Sequence, residues 1–154
     1  MPFSITFENA PLIYPYDDPG TAAATGLLVL GEHKEEFVSS LFQWSQRDYE
    51  KQWSAAIKVL LRGKRKSALI TEYVSPDFAT HLVWWPMYVV EEIVYFHHQL
   101  LFYDQLLEPF SVENALSFLR DREIVNPEGQ RISEWAVEFR EIEEFALMLE
   151  QSNS

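Results

Sequence analysis

The chain has 154 residues, 47% of them hydrophobic and 15% aromatic, and its 24 acidic against 12 basic residues give a formal charge of −12. That much apolar sequence excludes disorder and fits one domain over 1–154 with a single core. The absence of cysteine excludes disulfides, thiolate metal sites and thiol nucleophiles, while the acidic balance repels bare nucleic acid and favours a cationic partner.

The N-terminus, MPFSITFENAPLIYPYDD, lacks the basic region and apolar stretch of a signal peptide, and no apolar run is long enough for a membrane helix. A cytoplasmic protein is expected. Phe3, Ile5 and Phe7 alternate with Ser4, Thr6 and Glu8, which predicts a strand with one buried face. Pro11, Pro15, Pro19 and Gly20 then predict an irregular loop carrying Tyr14, Tyr16, Asp17 and Asp18. Gly26 and Gly31 bracket LLVL, a buried strand, and the EHKEEFVSSLF that follows either extends it or starts a helix.

The next element has clearer punctuation. Ser45 and Asp48 form a capping-box pattern, and Tyr49, Trp53, Ala56, Ile57 and Leu60 recur at helical spacing with Glu50, Lys51 and Lys58 facing water. Gly63 supplies the stop, and Trp44 is placed to fold back on the first turn. Ser67 to Val74 reads as a strand ending at Pro76. His81–Trp85 and Val89–Leu101 read as aromatic, β-branched strands separated by Pro86, which marks an edge or a bend. SVENALSFLRDR predicts a short helix capped by Ser111, with Val112, Ala115, Leu116 and Leu119 on one face. Asn126, Pro127, Glu128 and Gly129 predict a turn. Trp135, Val137 and Phe139 then alternate as in a strand, and Ile142, Phe145, Ala146 and Leu149 follow at helical spacing. The expected fold is α+β, a mainly antiparallel central sheet flanked by three or four helices.

Chemistry is sparse. His97 and His98 are adjacent, so strand geometry sends them to opposite faces, and His33 and His81 lie in other elements without a metal-ligand spacing. Glu91 and Glu92 diverge in the same way, and Glu141 and Glu144 share a solvated helix face without a pocket to raise a pKa. Ser39, Ser40, Ser67 and Ser75 have no nucleophile-elbow setting, and no glycine-rich phosphate loop occurs. Neither catalysis nor a cofactor is expected. The cations Arg62, Lys64, Arg65 and Lys66 follow a helix C-terminus, where positive charge is locally favoured. Between Lys66 and Arg120 no lysine or arginine occurs, yet Glu72, Asp77, Glu91, Glu92, Asp104, Glu108 and Glu113 do. Trp84 and Trp85 send one ring to each face of their strand, one into the core and the other beneath a helix or toward a partner.

The segment WSQRDYEKQWSAAIKVLLRGK, Trp44 to Lys64, with the SALITEY strand after it, resembles the CdiI-type immunity proteins of bacterial contact-dependent growth inhibition systems. The pattern SEWxVxFxxIExF, Ser133 to Phe145, is similar to the C-terminal strand and helix of the same family. The resemblance spans about Leu27 to Leu149. It implies a cytosolic antitoxin that binds the C-terminal toxin domain of a large surface protein, in many cases a nuclease with a basic substrate surface. Acidic side chains would then stand in for substrate phosphates. The acids expected to meet such a partner are first Glu91, Glu92, Asp104 and Glu108, and second Glu138, Glu141 and Glu144. Trp44, Tyr49, Trp53, Trp135, Phe139 and Phe145 carry the resemblance as scaffold. The competing classes are a small hydrolase, which needs His81, His97 or His98 to meet an acid in a pocket, and an acidic structural or adaptor protein.

Overall fold

The structure is a computed structural model that describes residues 2–13 and 22–152, with side chains described for residues 2–8 and 22–151. The expected loop of Tyr14, Pro15, Tyr16, Asp17, Asp18, Pro19 and Gly20 lies outside the described residues. Strands β1 (Phe3–Ile13), β2 (Ala22–Leu30) and β3 (His33–Ser40) form one antiparallel sheet in that order. Strands β4 (Lys66–Glu72), β5 (His81–Val90), β6 (Ile93–Phe96) and β8 (Trp135–Glu138) form a second, with β7 (Gln99–Phe102) paired to β5 beside β6. Helices α1 (Gln46–Leu61) and α2 (Phe139–Ser152) pack against them. The expected single sheet with three or four helices is therefore corrected to two antiparallel sheets and, among the described residues, two α-helices.

The β2–β3 connection resolves the ambiguous EHKEEF segment as a strand. Leu30 pairs with His33, leaving Gly31 and Glu32 as a two-residue turn, and Gly31 takes the positive φ of 68° that such a hairpin needs at its first central position. Gly26 lies inside β2 rather than at its start. A Cβ there would sit 2.1 Å from the Phe37 ring of β3, so the glycine makes room for that buried aromatic. Pro11 also falls inside a strand, opposite Ala24. It is tolerated because β1 is an edge strand with a register shift between Phe7 and Pro11.

Helix α1 follows its sequence closely. Ser45 and Asp48 close the capping box, Tyr49, Trp53, Ala56, Ile57 and Leu60 are the buried stripe, and Trp44 meets Tyr49 edge-on at 5.0 Å. At the other end Gly63, φ 99°, donates to Leu60 and Lys64 donates to Val59, the paired bonds of a Schellman stop. The helix also closes the outer edge of β4. Gln52 Nε2 donates to the Ala68 carbonyl at 2.9 Å and its Oε1 accepts from the Ile70 amide at 2.8 Å, while Trp53 Nε1 donates to the Ile70 carbonyl at 2.7 Å.

Pro86 does not bend β5, which runs unbroken from His81 to Val90. Its effect falls on the neighbouring strand. The His97 amide donates to the Pro86 carbonyl at 2.9 Å, but proline has no N–H to return, and the ladder lapses at His97 and His98 before resuming in the same register as β7. The SVENALSFLRDR segment forms no α-helix. Ser111 and Asn114 exchange side-chain to backbone bonds, which compete with helical pairing, and only a 3-10 turn at Ala115–Phe118 follows.

The two sheets and both helices share one core. Phe3 of β1 stacks on Phe96 of β6 at 5.5 Å and meets Phe145 of α2 edge-on at 5.1 Å, and Phe7 lies 4.9 Å from Trp53 of α1. Trp84 and Trp85 are both buried, so neither ring is left for a partner.

Candidate functional site

The β5–β6 hairpin turns on Glu91 and Glu92, since Val90 pairs with Ile93. Both acids are exposed, and Glu91 holds a left-handed backbone with φ 55°. The tip is clamped by the start of α2, where the Phe139 amide donates to the Glu92 carbonyl at 2.7 Å and Glu138 lies opposite Ile93. Glu141 follows in the first helical turn and Glu144 is exposed in the next. Glu138 accepts from Arg140 Nε at 2.5 Å, and that bond holds the guanidinium pKa above its ordinary value. Glu91, Glu92, Glu138 and Glu141 thus gather at one end of the second sheet, at a helix N-terminus where negative charge is favoured.

Asp104 and Glu108 lie elsewhere. They follow β7, whose Phe102 pairs with His81 at the opposite end of β5. A ten-residue strand spans roughly 30 Å, so the structure does not bring these two beside Glu91 and Glu92. The four acids named first for a partner therefore lie on two separate surfaces. Of the aromatic residues, Tyr49, Trp53 and Phe145 are buried, and Trp44, Trp135 and Phe139 are half-buried against the same core.

A groove of about 610 Å³ opens between β7 and the 117–132 segment. The His97 ring, 2% exposed, lies at its inner end, hydrogen-bonded through Nε2 to Glu134 Oε2 at 2.7 Å. Arg122 grips both Glu134 oxygens, at 2.7 and 2.8 Å, and sits 4.0 Å over the Tyr95 ring. The Arg122 bond, with that of His97 behind it, holds the Glu134 carboxyl below its ordinary pKa against the opposing effect of burial. Burial, with nearby acids, pushes the neighbouring Tyr88 hydroxyl up to about 12 as it donates to the Arg120 carbonyl at 3.0 Å. Sequence reasoning missed this network because its members are 12 and 37 residues apart and share no local pattern. His97 does meet an acid, but the carboxylate is taken up by Arg122 and the ring is closed off from solvent. That arrangement ties the 120–134 segment to the sheet and offers no solvent-facing base.

The other histidines disperse. His33 stacks on Trp135, His81 faces Phe102 and His98 lies against Trp85. Among the described residues no group of three or more histidines and acids is placed to hold a metal. The basic run splits as well. Arg62, Lys64 and Arg65 are exposed, whereas Lys66 bonds to the Leu119 carbonyl and to Asp121 at 3.1 Å. No described helix is long and apolar enough to cross a membrane.

A family model for the CdiI N-terminal domain matches residues 39–145. Over 131 residues the chain is 26% identical to the immunity protein CdiI of Enterobacter cloacae, covering 85% of this chain and 90% of that protein. Its fold matches a chain of the CdiA-CT/CdiI toxin and immunity complex from Enterobacter cloacae with a TM-score of 0.86 at 25% identity, over 97% of this chain and 99% of that one.

Proposed function

Because the chain belongs to the CdiI immunity-protein family, whose members act by binding rather than catalysis, we propose that it binds and neutralises a cognate CdiA-CT toxin domain. The observation that carries this reading is the near-complete match, 97% against 99%, to a chain taken from a toxin and immunity complex. The protein acts in the cytosol, where a delivered toxin would do its damage. The toxin is a nuclease with a basic substrate surface, and the inhibitor's carboxylates occupy the places of substrate phosphates. The charge of −12 supports that finer reading, as does the collection of Glu91, Glu92, Glu138 and Glu141 at one end of the sheet, with Glu144 one turn further along α2. Asp104 and Glu108 supply a second acidic contact.

Co-expression with its cognate CdiA-CT toxin domain tests the function directly. Cells carrying this chain survive induction of the toxin, and the purified proteins form a stable complex. Death despite a folded, expressed inhibitor would refute the proposal. The nuclease reading has its own measurement, cleavage of RNA and DNA by the free toxin domain and loss of cleavage on adding the inhibitor. A toxin that cuts neither leaves the immunity function standing and removes phosphate mimicry.

A further inference from the structure

Strand β7 is paired on one side only. Among the described residues, β5 is its sole partner. Two backbone bonds bracketing the strand fix the direction of its unpaired groups: His97 N–H to the Pro86 carbonyl at 2.9 Å and Tyr103 N–H to the Thr80 carbonyl at 3.0 Å. Antiparallel bonding alternates along a strand, so Gln99 and Leu101 also turn their N–H and C=O groups toward β5. Leu100 and Phe102 turn theirs away, into the 610 Å³ groove.

The groove exists because β8 stops short. Its Trp135 lies opposite Phe96, and in that register residues 129–132 would continue beside β7. They fold on their own neighbours instead. Val125 bridges Arg131, the Ile132 amide donates to the Ile124 carbonyl at 2.8 Å, and Asn126 Oδ1 accepts from the Glu128 and Gln130 amides around Gly129. Glu134 is drawn inward to Arg122 and His97. β7 is left without the neighbour that β6 has.

The side chains around this edge are those of an interface. Leu100 is 46% exposed, Phe102 37%, and Leu107 is fully exposed. Asp104 and Glu108 adjoin them, and Asp121 and Glu123 stand on the far wall with Arg120 as its one cation. β4 offers a contrast, since its outward groups are capped by Gln52 and Trp53. An open edge invites another strand. A second copy at −12 would be repelled, whereas acids flanking exposed leucines suit a cationic, apolar segment.

We infer that the β7 edge binds an extended segment of the toxin domain as an added strand. Leu100 and Phe102 make main-chain bonds to it, Leu107 and the two strand side chains receive its apolar residues, and Asp104, Glu108 and Glu123 receive its lysines or arginines. This rests on the toxin-binding reading and assigns the surface it uses.

Amide exchange followed by NMR, with and without a catalytically disabled toxin domain, tests the assignment. In the complex the Leu100 and Phe102 amides slow by at least about tenfold, while that of Leu101, already bonded within the sheet, changes little. The double variant Leu100→Ser, Leu107→Ser keeps the native melting profile, because both side chains face solvent, and its toxin Kd rises about tenfold or more. Toxin binding by the wild type without protection at Leu100 and Phe102, or with the double variant within twofold of it, overturns the edge assignment and leaves the immunity function intact. No binding by the folded wild type overturns both. Protection that grows with protein concentration in the absence of toxin assigns the edge to a second copy and also overturns it.

Discussion

Glu91 carries its side chain at φ 55° on a hairpin tip, a conformation that costs an L-residue roughly 1 kcal/mol and glycine almost nothing. Glu91→Gly should therefore stabilise the fold by about 0.5–1 kcal/mol in urea denaturation. If the carboxylate meets the toxin, the same variant should also slow association. A stability gain with unchanged toxin kinetics would remove Glu91 from the contact surface, and no gain at all would mean the turn relaxes without strain. Glu134 works in the opposite sense. Its pKa is depressed chiefly by the Arg122 bond, so its contribution is present above the ordinary carboxyl value of 4.5 and is lost as pH falls through the lower folded value. Glu134→Gln should cost about 2–3 kcal/mol at pH 7, somewhat less than breaking a fully buried ion pair. The gap between variant and wild type should narrow once pH drops below the ordinary carboxyl value and close as it passes the lowered folded one. A gap independent of pH would show that packing, not the charge, holds the 120–134 segment.

Helix α1 shows how an element can be legible in full. Its cap, its stripe from Tyr49 to Leu60 and its glycine stop are all local signals, and each is a contact or a bond in the structure. What could not be read is the second role of its polar face. Gln52 sits among water-facing positions in sequence, yet its amide bridges Ala68 and Ile70 on the edge of β4. Gln52→Ala should lose both bonds at a cost of about 1–3 kcal/mol, and the reopened edge should promote aggregation on heating, measurable by light scattering. Equal stability and solubility would show that water replaces the amide without loss. The strands were legible as apolar runs, but their limits depend on neighbours. Pro86 reads as a break in its own strand and acts as a gap in the next, because its missing N–H faces His97. The 111–122 segment reads as a helix because apolar spacing is visible, while the Ser111–Asn114 exchange that defeats it is not. The acids were legible as a charge type. Their division into two surfaces was not, since strand pairing sends Glu91 to one end of β5 and Asp104 to the other.

At the scale of the molecule, the charge of −12 is unevenly laid out. Lys64 and Arg65 border a groove floored by Val59, Val89 and Val90, close behind the acidic tip that follows Val90 in sequence. A basic toxin approaching the tip therefore meets attraction from the acids and opposition from this patch. If the patch only opposes, Lys64→Glu with Arg65→Glu should accelerate association about threefold at 10 mM salt, since each reversal deepens the field that steers a cationic partner. The advantage should vanish near 1 M salt, where the screening length falls to about 3 Å. Both positions are exposed and follow the helix stop, so the fold should tolerate the change. Stopped-flow association rates across that salt range decide the matter. A slower rate that persists at high salt would mean that Lys64 and Arg65 touch acids of the toxin. Recognition would then depend on matching a bipolar surface, and net charge would be the lesser part of it.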